Sequence, residues 1–282
     1  MRPSLINANH KIVTLDSPCI RISDRGFSLG HGLFETILAN KGTLPFLPYH
    51  WQRLQESASL IDIALPFCEQ TLTTMIKELI FLNHLQNEQA IVRITLTHGE
   101  ATRGLLPAEP PTSNFFITVF PMVPLADAPF TAMIVKTKKN EHSITSKIKS
   151  LSYLDNILAK QEAQKENYDE AILLNTASNV ADGAISNVYL VKNRQIMTPP
   201  ISDGALPGVI RGFLLKELAA MFPIDEKSLS PNDFLAADEV FLTNSLIGVK
   251  AVKQLNHKIF SCFEITHKIK KEFQIRMDFA TS

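Results

Sequence analysis

The sequence predicts a mixed α and β chain of the α+β kind, built in two parts. Its 282 residues suffice for two ordinary domains or one large one, with a sizeable core either way. Apolar residues follow both regular periods, the strand run from Leu33 to Leu38 and the helical spacing of Trp51, Leu54, Ala58 and Ile61. Proline and small residues gather at Pro121-Met122-Val123-Pro124-Leu125-Ala126-Asp127-Ala128-Pro129, the best linker in the chain. The boundary is therefore set there: a smaller N-terminal α/β domain over 1–120, a linker over 121–129 and a larger domain over 130–282.

In chain order, short strands are expected at Leu5 to Ala8 and Lys11 to Thr14, then the strong one from Leu33 to Leu38. Helices follow at Pro48 to Ile61 and at Glu69 to Leu85, where Leu72, Met75, Ile76 and Leu79 share one face. Ile91 to Thr97 and Phe115 to Phe120 read as strands joined by a loop rich in turn residues, Thr97-His98-Gly99-Glu100-Ala101-Thr102-Arg103-Gly104. Past the linker, strands are expected at Ala132 to Lys136, Glu170 to Leu174, Asn187 to Val191 and Glu239 to Leu242. Helices are expected from Ser152 to about Lys165, Val209 to Met221 and Cys262 to Met277.

Lysine plus arginine number 28 and aspartate plus glutamate 28, so no global field favours nucleic acid or an anionic membrane. The N-terminus lacks the layout of a signal peptide, and no apolar run nears the ~20 residues of a membrane span. Three scattered cysteines, Cys19, Cys68 and Cys262, argue against a disulfide framework and for a reducing compartment, hence the cytoplasm. None has a cysteine or histidine at metal-ligand spacing, so no metal is expected.

Ser146-Lys147-Ile148-Lys149-Ser150-Leu151-Ser152-Tyr153-Leu154-Asp155-Asn156 reads as a strand end, with lysine at alternate positions, running into an amphipathic helix near Ser152. An amine held at a strand end beside a helix start has the fixed position that a Schiff-base nucleophile requires. Taken alone, the two lysines read first as a solvated strand face, where most lysines lie. From Lys149 onward, however, the segment resembles the K-S-L-N-Y-L-x-N-x-L-A run of fold-type IV pyridoxal phosphate enzymes. That family includes branched-chain aminotransferases, D-amino acid aminotransferases and 4-amino-4-deoxychorismate lyases. The resemblance implies pyridoxal 5'-phosphate as cofactor, with Lys149 as the catalytic residue that carries it. Alternation sets Lys147 on the same strand face, and only the motif register separates the two. The resemblance also implies two α/β domains with the cofactor in the cleft between them, the larger a strand-rich pseudo-barrel. It implies, further, a homodimer whose partner loop helps close the site around a small-molecule substrate.

Pyridoxal phosphate needs donors for its phosphate, an acid for its pyridine nitrogen and a pocket that orients the substrate. Gly204-Ala205-Leu206-Pro207-Gly208-Val209-Ile210-Arg211-Gly212 ends a loop and opens a helix. Gly208 admits a close approach, and the N–H groups of Val209 and Ile210 sit at the positive end of the helix dipole. By itself this is an ordinary helix start, but it resembles the family's L-x-G-[ITV]-x-R phosphate signature. Thr243-Asn244-Ser245 resembles the second phosphate contact. Arg53, in His50-Trp51-Gln52-Arg53-Leu54, stands where the family's H-x-x-R-L arginine grips the phosphate. For the ring nitrogen, Val180-Ala181-Asp182-Gly183-Ala184-Ile185-Ser186-Asn187-Val188 resembles V-x-E-G-x-x-S-N. Asp182 replaces the glutamate, one methylene shorter, with Ser186 and Asn187 completing the motif; a carboxylate there raises the pKa of the ring nitrogen.

For the substrate, Asp24-Arg25-Gly26-Phe27-Ser28-Leu29-Gly30-His31-Gly32-Leu33-Phe34-Glu35-Thr36 resembles D-R-G-x-x-x-G-D-G-L-F-E-T, with His31 in place of aspartate. His31 reads either as a general base or, preferably, as a loop histidine making local hydrogen bonds, because the lysine already serves the proton transfers. Arg93 and Arg103-Gly104-Leu105-Leu106-Pro107 resemble the family's R-x-x-x-T-R-G…R-G region, with His98 replacing one arginine. Arg103 is either a carboxylate grip or an exposed loop arginine.

Asp238-Glu239-Val240-Phe241-Leu242-Thr243-Asn244-Ser245-Leu246-Ile247-Gly248-Val249-Lys250-Ala251-Val252 is similar to the D-E-V-F-L-T-N-S-L-x-G-[IV]-x-P-V of aminodeoxychorismate lyases, save Ala251 for proline. Aminotransferases tend to show T-G-T-A or T-S-T there. Phe34, where D-amino acid aminotransferases carry tyrosine, points the same way. The expectation is a lyase that turns 4-amino-4-deoxychorismate into 4-aminobenzoate and pyruvate. The alternatives are a transaminase of D- or branched-chain amino acids and, given Asp182, a cofactor-binding protein without catalysis.

Overall fold

Alternating apolar residues in the first third of the chain build an antiparallel sheet. Strands β1 (Leu5–Ala8) and β2 (Lys11–Thr14) precede α1 (Arg25–Leu29), β3 (Gly32–Asn40), α2 (Leu47–Leu60), α3 (Glu69–Leu82), β4 (Gln89–Thr97) and β5 (Asn114–Pro121). The computed structural model describes residues 4–17, 19–101, 104–106, 112–124 and 126–279. They fall into two compact units, the first taking residues up to Pro124 together with Lys149–Ser152.

In this first unit the strands lie in the order β2-β1-β5-β4-β3. Register sets Phe34 opposite Thr95 and Glu35 opposite Ile94, so neighbours along β3 take opposite faces. One face is apolar: Leu33, Ile37, Val92, Ile94, Leu96 and Ile117 are buried with the Leu54, Ala58, Leu72, Ile76 and Leu79 stripes of α2 and α3. The other face presents Phe34, Thr36, Arg93, Thr95 and Thr118, four of them only half-buried.

The second unit holds β6 (Phe130–Lys139), α4 (Ile144–Lys147), α5 (Leu154–Lys165), β7 (Glu170–Asn175), β8 (Val180–Gly183), β9 (Asn187–Lys192), β10 (Gln195–Thr198), α6 (Val209–Glu217), β11 (Ile224–Glu226), α7 (Pro231–Leu235), β12 (Glu239–Asn244), β13 (Gly248–Leu255), β14 (Lys258–Ile259) and α8 (Glu264–Phe279). Its strands form a nine-stranded curled sheet in the order β11-β10-β9-β12-β13-β6-β7-β8, with β14 beside β13. Val188, Leu190, Val240, Leu242 and Val252 pack one face with Phe234 and Phe260, while Ala171 and Leu173 on β7 turn the other way toward Ala159 and Ala163 of α5. Tyr189 and Phe241, paired in register, stack with ring centroids 4.5 Å apart. The buried Glu239 accepts the N–H groups of Ile265 and Thr266, both at 2.9 Å, and so caps the start of α8.

The stretch before Lys149 departs from expectation. Ser143 accepts the N–H of Thr145 and starts a helical turn over Ile144–Lys147, so Lys147 closes a short helix instead of a strand. Extended backbone resumes only at Ile148, and the two lysines do not share a strand face. The following helix begins at Leu154 and is not amphipathic in the expected sense. It buries only Ala159 and Ala163, leaving Leu154, Ile157 and Leu158 exposed. The helix from Val209 ends at Glu217, four residues early. Strand β13 was not anticipated, because Lys250 and Lys253 break up its apolar run.

Candidate active site

In the first unit, Lys149 is fixed through its backbone. Its carbonyl accepts the N–H of Phe34 at 2.9 Å, Leu151 donates to Gly32 O at 2.9 Å, and Ser150 bridges Leu33. The segment thus lies as a short antiparallel addition to the start of β3. Lys149 Nζ lies 4.4 Å from the centroid of the Phe34 ring, and the Arg93 guanidinium carbon lies 3.6 Å from the same centroid. Two cations on one aromatic ring make an electropositive wall suited to an anionic substrate.

On the opposite face of β3, Glu35 accepts Arg53 Nε at 2.8 Å, Arg53 Nη2 at 2.6 Å and His50 Nδ1 at 2.7 Å. Histidine and arginine three residues apart on α2 lie on one helix side, which lets them converge on one carboxylate. Burial would raise the Glu35 pKa, but Arg53 and then His50 overrule it and hold the carboxyl well below the usual range. Burial pushes the His50 pKa down against the pull of Glu35. Neither Glu35 nor His50 was singled out from the sequence, although the H-x-x-R spacing carried the signal.

Both ring nitrogens of His31 are engaged. Arg25 Nε donates to its Nδ1 at 3.2 Å, so Nε2 carries the proton and meets Ile61 O at 3.1 Å. That is the local hydrogen-bonding role, with no lone pair left for a base. His98 packs against His31 with its ring tilted by 32°, its pKa lowered first by burial and then by that neighbour. Arg103 lies outside the described residues.

In the second unit, Gly208 caps α6, and a Cβ there would come within 1.9 Å of Asn187 Oδ1. Only glycine lets the chain pass Asn187 at the start of α6, where the N–H groups of Val209 and Ile210 come before the first N–H that finds an intrahelical acceptor. Thr243 Oγ1 is buried near the Tyr189 hydroxyl, and Arg211 Nε is buried with no hydrogen-bond partner. A glycine cradle and a helix N-terminus beside the strand that carries Thr243 together fit a phosphate. Asn244 Oδ1 accepts the N–H groups of Leu246 and Ile247, each at 2.9 Å, and its amide donates to Ile185 O; Ser245 lies inside that turn.

Asp182 is buried on β8, opposite Leu173. Its Oδ1 accepts Asn187 Nδ2 at 3.0 Å, and its Oδ2 accepts Leu206 N at 2.9 Å with Lys139 Nζ 3.5 Å away. Burial raises its pKa, and Lys139 opposes that rise. Ser186 donates to Glu170 Oε2 at 2.7 Å, a second buried carboxyl whose pKa burial also raises. Tyr153 and Asn156 both donate to Ala184 O, tying the start of α5 to the Asp182 loop. Lys139 and Glu170 were missed, since neither lies in a motif.

Among the described residues no helix is long and apolar enough to cross a membrane, and no group of three or more His, Cys, Asp or Glu could hold a metal. Cys19, Cys68 and Cys262 are free thiols.

A strand-rich curled sheet bearing a phosphate cradle and a buried carboxyl, with a lysine held on a second sheet, defines a fold-type IV pyridoxal phosphate enzyme. The sequence profile of the family described as amino-transferase class IV matches residues 32–255, and the chain belongs to that family. It is 30% identical over 276 residues to a putative branched-chain-amino-acid aminotransferase of Methanocaldococcus jannaschii, covering 95% of each chain. It is 29% identical over 233 residues to the aminodeoxychorismate lyase of Bacillus subtilis, covering 80% of this chain and 78% of that one. The crystal structure of a putative 4-amino-4-deoxychorismate lyase from Legionella pneumophila superposes with a TM-score of 0.85 at 29% identity, over 93% of this chain and 97% of that one. The cofactor is pyridoxal 5'-phosphate.

Proposed function

We propose that this chain is an aminodeoxychorismate lyase, converting 4-amino-4-deoxychorismate to 4-aminobenzoate and pyruvate on the way to folate. The observation that carries this is the turn at Thr243-Asn244-Ser245-Leu246. Asn244 accepts two backbone N–H groups and shapes the loop with its side chain, which a glycine of the aminotransferase-like runs lacks the side chain to do and a serine does more weakly. The lyases of Bacillus subtilis and Legionella pneumophila support the same reading.

When bound, pyridoxal phosphate supplies an electron sink for the breaking bond. Lys149 would hold the cofactor, and its amine takes the proton from ring carbon 4 of the substrate. The same amine returns a proton as the enolpyruvyl group departs, yielding pyruvate and the aromatic product. Gly208, Val209, Ile210, Thr243, Asn244 and Ser245 would hold the phosphate, together with Arg53, two of whose donors are on Glu35. Asp182, ordered by Asn187, would meet the ring nitrogen, while Ser186 steadies the same loop through Glu170. Phe34 and Arg93 wall the substrate, and Arg103 is assigned to a substrate carboxylate on its motif alone. The enzyme works as a cytoplasmic homodimer, which light scattering of the purified protein checks.

The test supplies enzymatically generated 4-amino-4-deoxychorismate to the loaded protein. Stoichiometric pyruvate and 4-aminobenzoate, lost in Lys149→Ala and kept in Lys147→Ala, are expected. A transaminase is the second reading, favoured by the Methanocaldococcus jannaschii relative. It wins if no pyruvate forms while D-alanine or leucine converts the cofactor to its amine form.

A further inference from the structure

Asp182 is a buried acid with no arginine on it. Its Oδ1 accepts one amide N–H from Asn187, and its Oδ2 accepts the backbone N–H of Leu206. Neutral donors of this kind favour the charged carboxylate, but burial of the whole side chain opposes it. The nearest full positive charge is Lys139 Nζ, 3.5 Å from Oδ2, with only 12% of the lysine side chain exposed. Lys139 closes β6, past a register shift between Ile134 and Lys138. Its neighbour Lys138 points outward instead, where its amine donates to Ser178. The local geometry therefore spends one lysine on solvent and one on the buried acid.

We infer that Lys139 is a positioning residue that keeps Asp182 anionic toward the cofactor ring. This rests on Asp182 being the partner of the ring nitrogen. A protonated Asp182 has no negative charge with which to hold the ring nitrogen protonated, so Lys139 acts on the cofactor through the acid. Four charged or titratable groups bear on Asp182: Lys139 from β6, Glu170 from β7, Tyr189 from β9 and Arg211 from α6. Glu170, when ionised, disfavours the charge on Asp182, whereas Tyr189, whose hydroxyl burial pushes up, stays neutral and carries none. Arg211 is committed to Glu226 and Pro199 O, which leaves Lys139 as the closest cation. A carboxylate deprived of that cation takes up its proton at higher pH, and the loss of cofactor binding on acidification then begins earlier.

The experiment is equilibrium dialysis of the full chain loaded with pyridoxal phosphate, from pH 5.5 to 9, with folding of each variant checked by circular dichroism. Lys139→Met is expected to move the acid limb of cofactor binding upward, weakening it about tenfold at pH 6, as a shift of about one pKa unit requires. Lys139→Arg restores the wild-type profile, Lys138→Met leaves it unchanged, and Asp182→Asn flattens the limb. A Lys139→Met profile that superimposes on wild type while Asp182→Asn flattens it overturns the role of Lys139 and spares that of Asp182. An Asp182→Asn protein with wild-type affinity and profile overturns the ring-nitrogen assignment itself.

Discussion

Glu35 and Asp182 are both carboxylates sealed inside a sheet, and the cations that meet them differ. Glu35 receives two N–H groups of one guanidinium and a third from His50, at 2.6 to 2.8 Å. Asp182 receives a lysine at 3.5 Å and otherwise neutral donors. The planar fork matches the carboxylate and overrules the effect of burial, whereas a point charge further off opposes that effect without reversing it. The first site is built to be permanent, the second to respond to what lies beside it.

The largest effect expected from breaking this contrast is on stability. Glu35→Ala leaves Arg53 buried without its carboxylate, which should cost about 3–5 kcal/mol in urea unfolding. An equal loss in Lys139→Ala would erase the distinction. Next is Gly208→Ala, where the Cβ must displace Asn187 and with it a donor to Asp182. Cofactor affinity should fall about tenfold or more, the scale of one lost hydrogen bond, as read by dialysis.

The pH slopes should then run in opposite directions. The Glu35 pKa is depressed in the folded state, so its stabilisation is present above the unfolded value and lost as pH falls through the folded one. The gap between wild type and Glu35→Gln should stay flat from neutral pH down to about 4, the ordinary glutamate value, and close below it. The Asp182 pKa is raised, so stability is fully present below its unfolded value and lost as pH rises through the folded one. Without cofactor, Asp182→Asn should gain on wild type as pH rises, measured by urea midpoints at each pH. The smallest effect is the control: Lys268→Ala removes an exposed pair with Glu264 and should leave the midpoint within error.

The strands of the first unit were legible because their apolar residues alternate, and β3, β4 and β5 appear within two residues of expectation. The short helix at Ile144–Lys147 was not, since a serine cap and four residues carry no period. It matters because it sets Lys147 in a helical turn and Lys149 in extended chain, a separation that alternation alone had hidden. Motifs named which residues gather, among them Asp182, Asn187 and Gly208. They could not name what each oxygen bonds, because Lys139 and Glu170 reach the loop from neighbouring strands through sheet register.

Asn187 ties three positions together. Its carbonyl oxygen occupies the space a side chain at Gly208 would need, while its amide nitrogen holds both Asp182 and Leu206. Of these, Gly208 cannot gain a side chain unless Asn187 moves, while Leu206 is held through its backbone alone. The family's V-x-E-G-x-x-S-N run sets its longer acid beside the same asparagine, so the acid at position 182 can change length while the pairing of Asn187 with Gly208 stays in place.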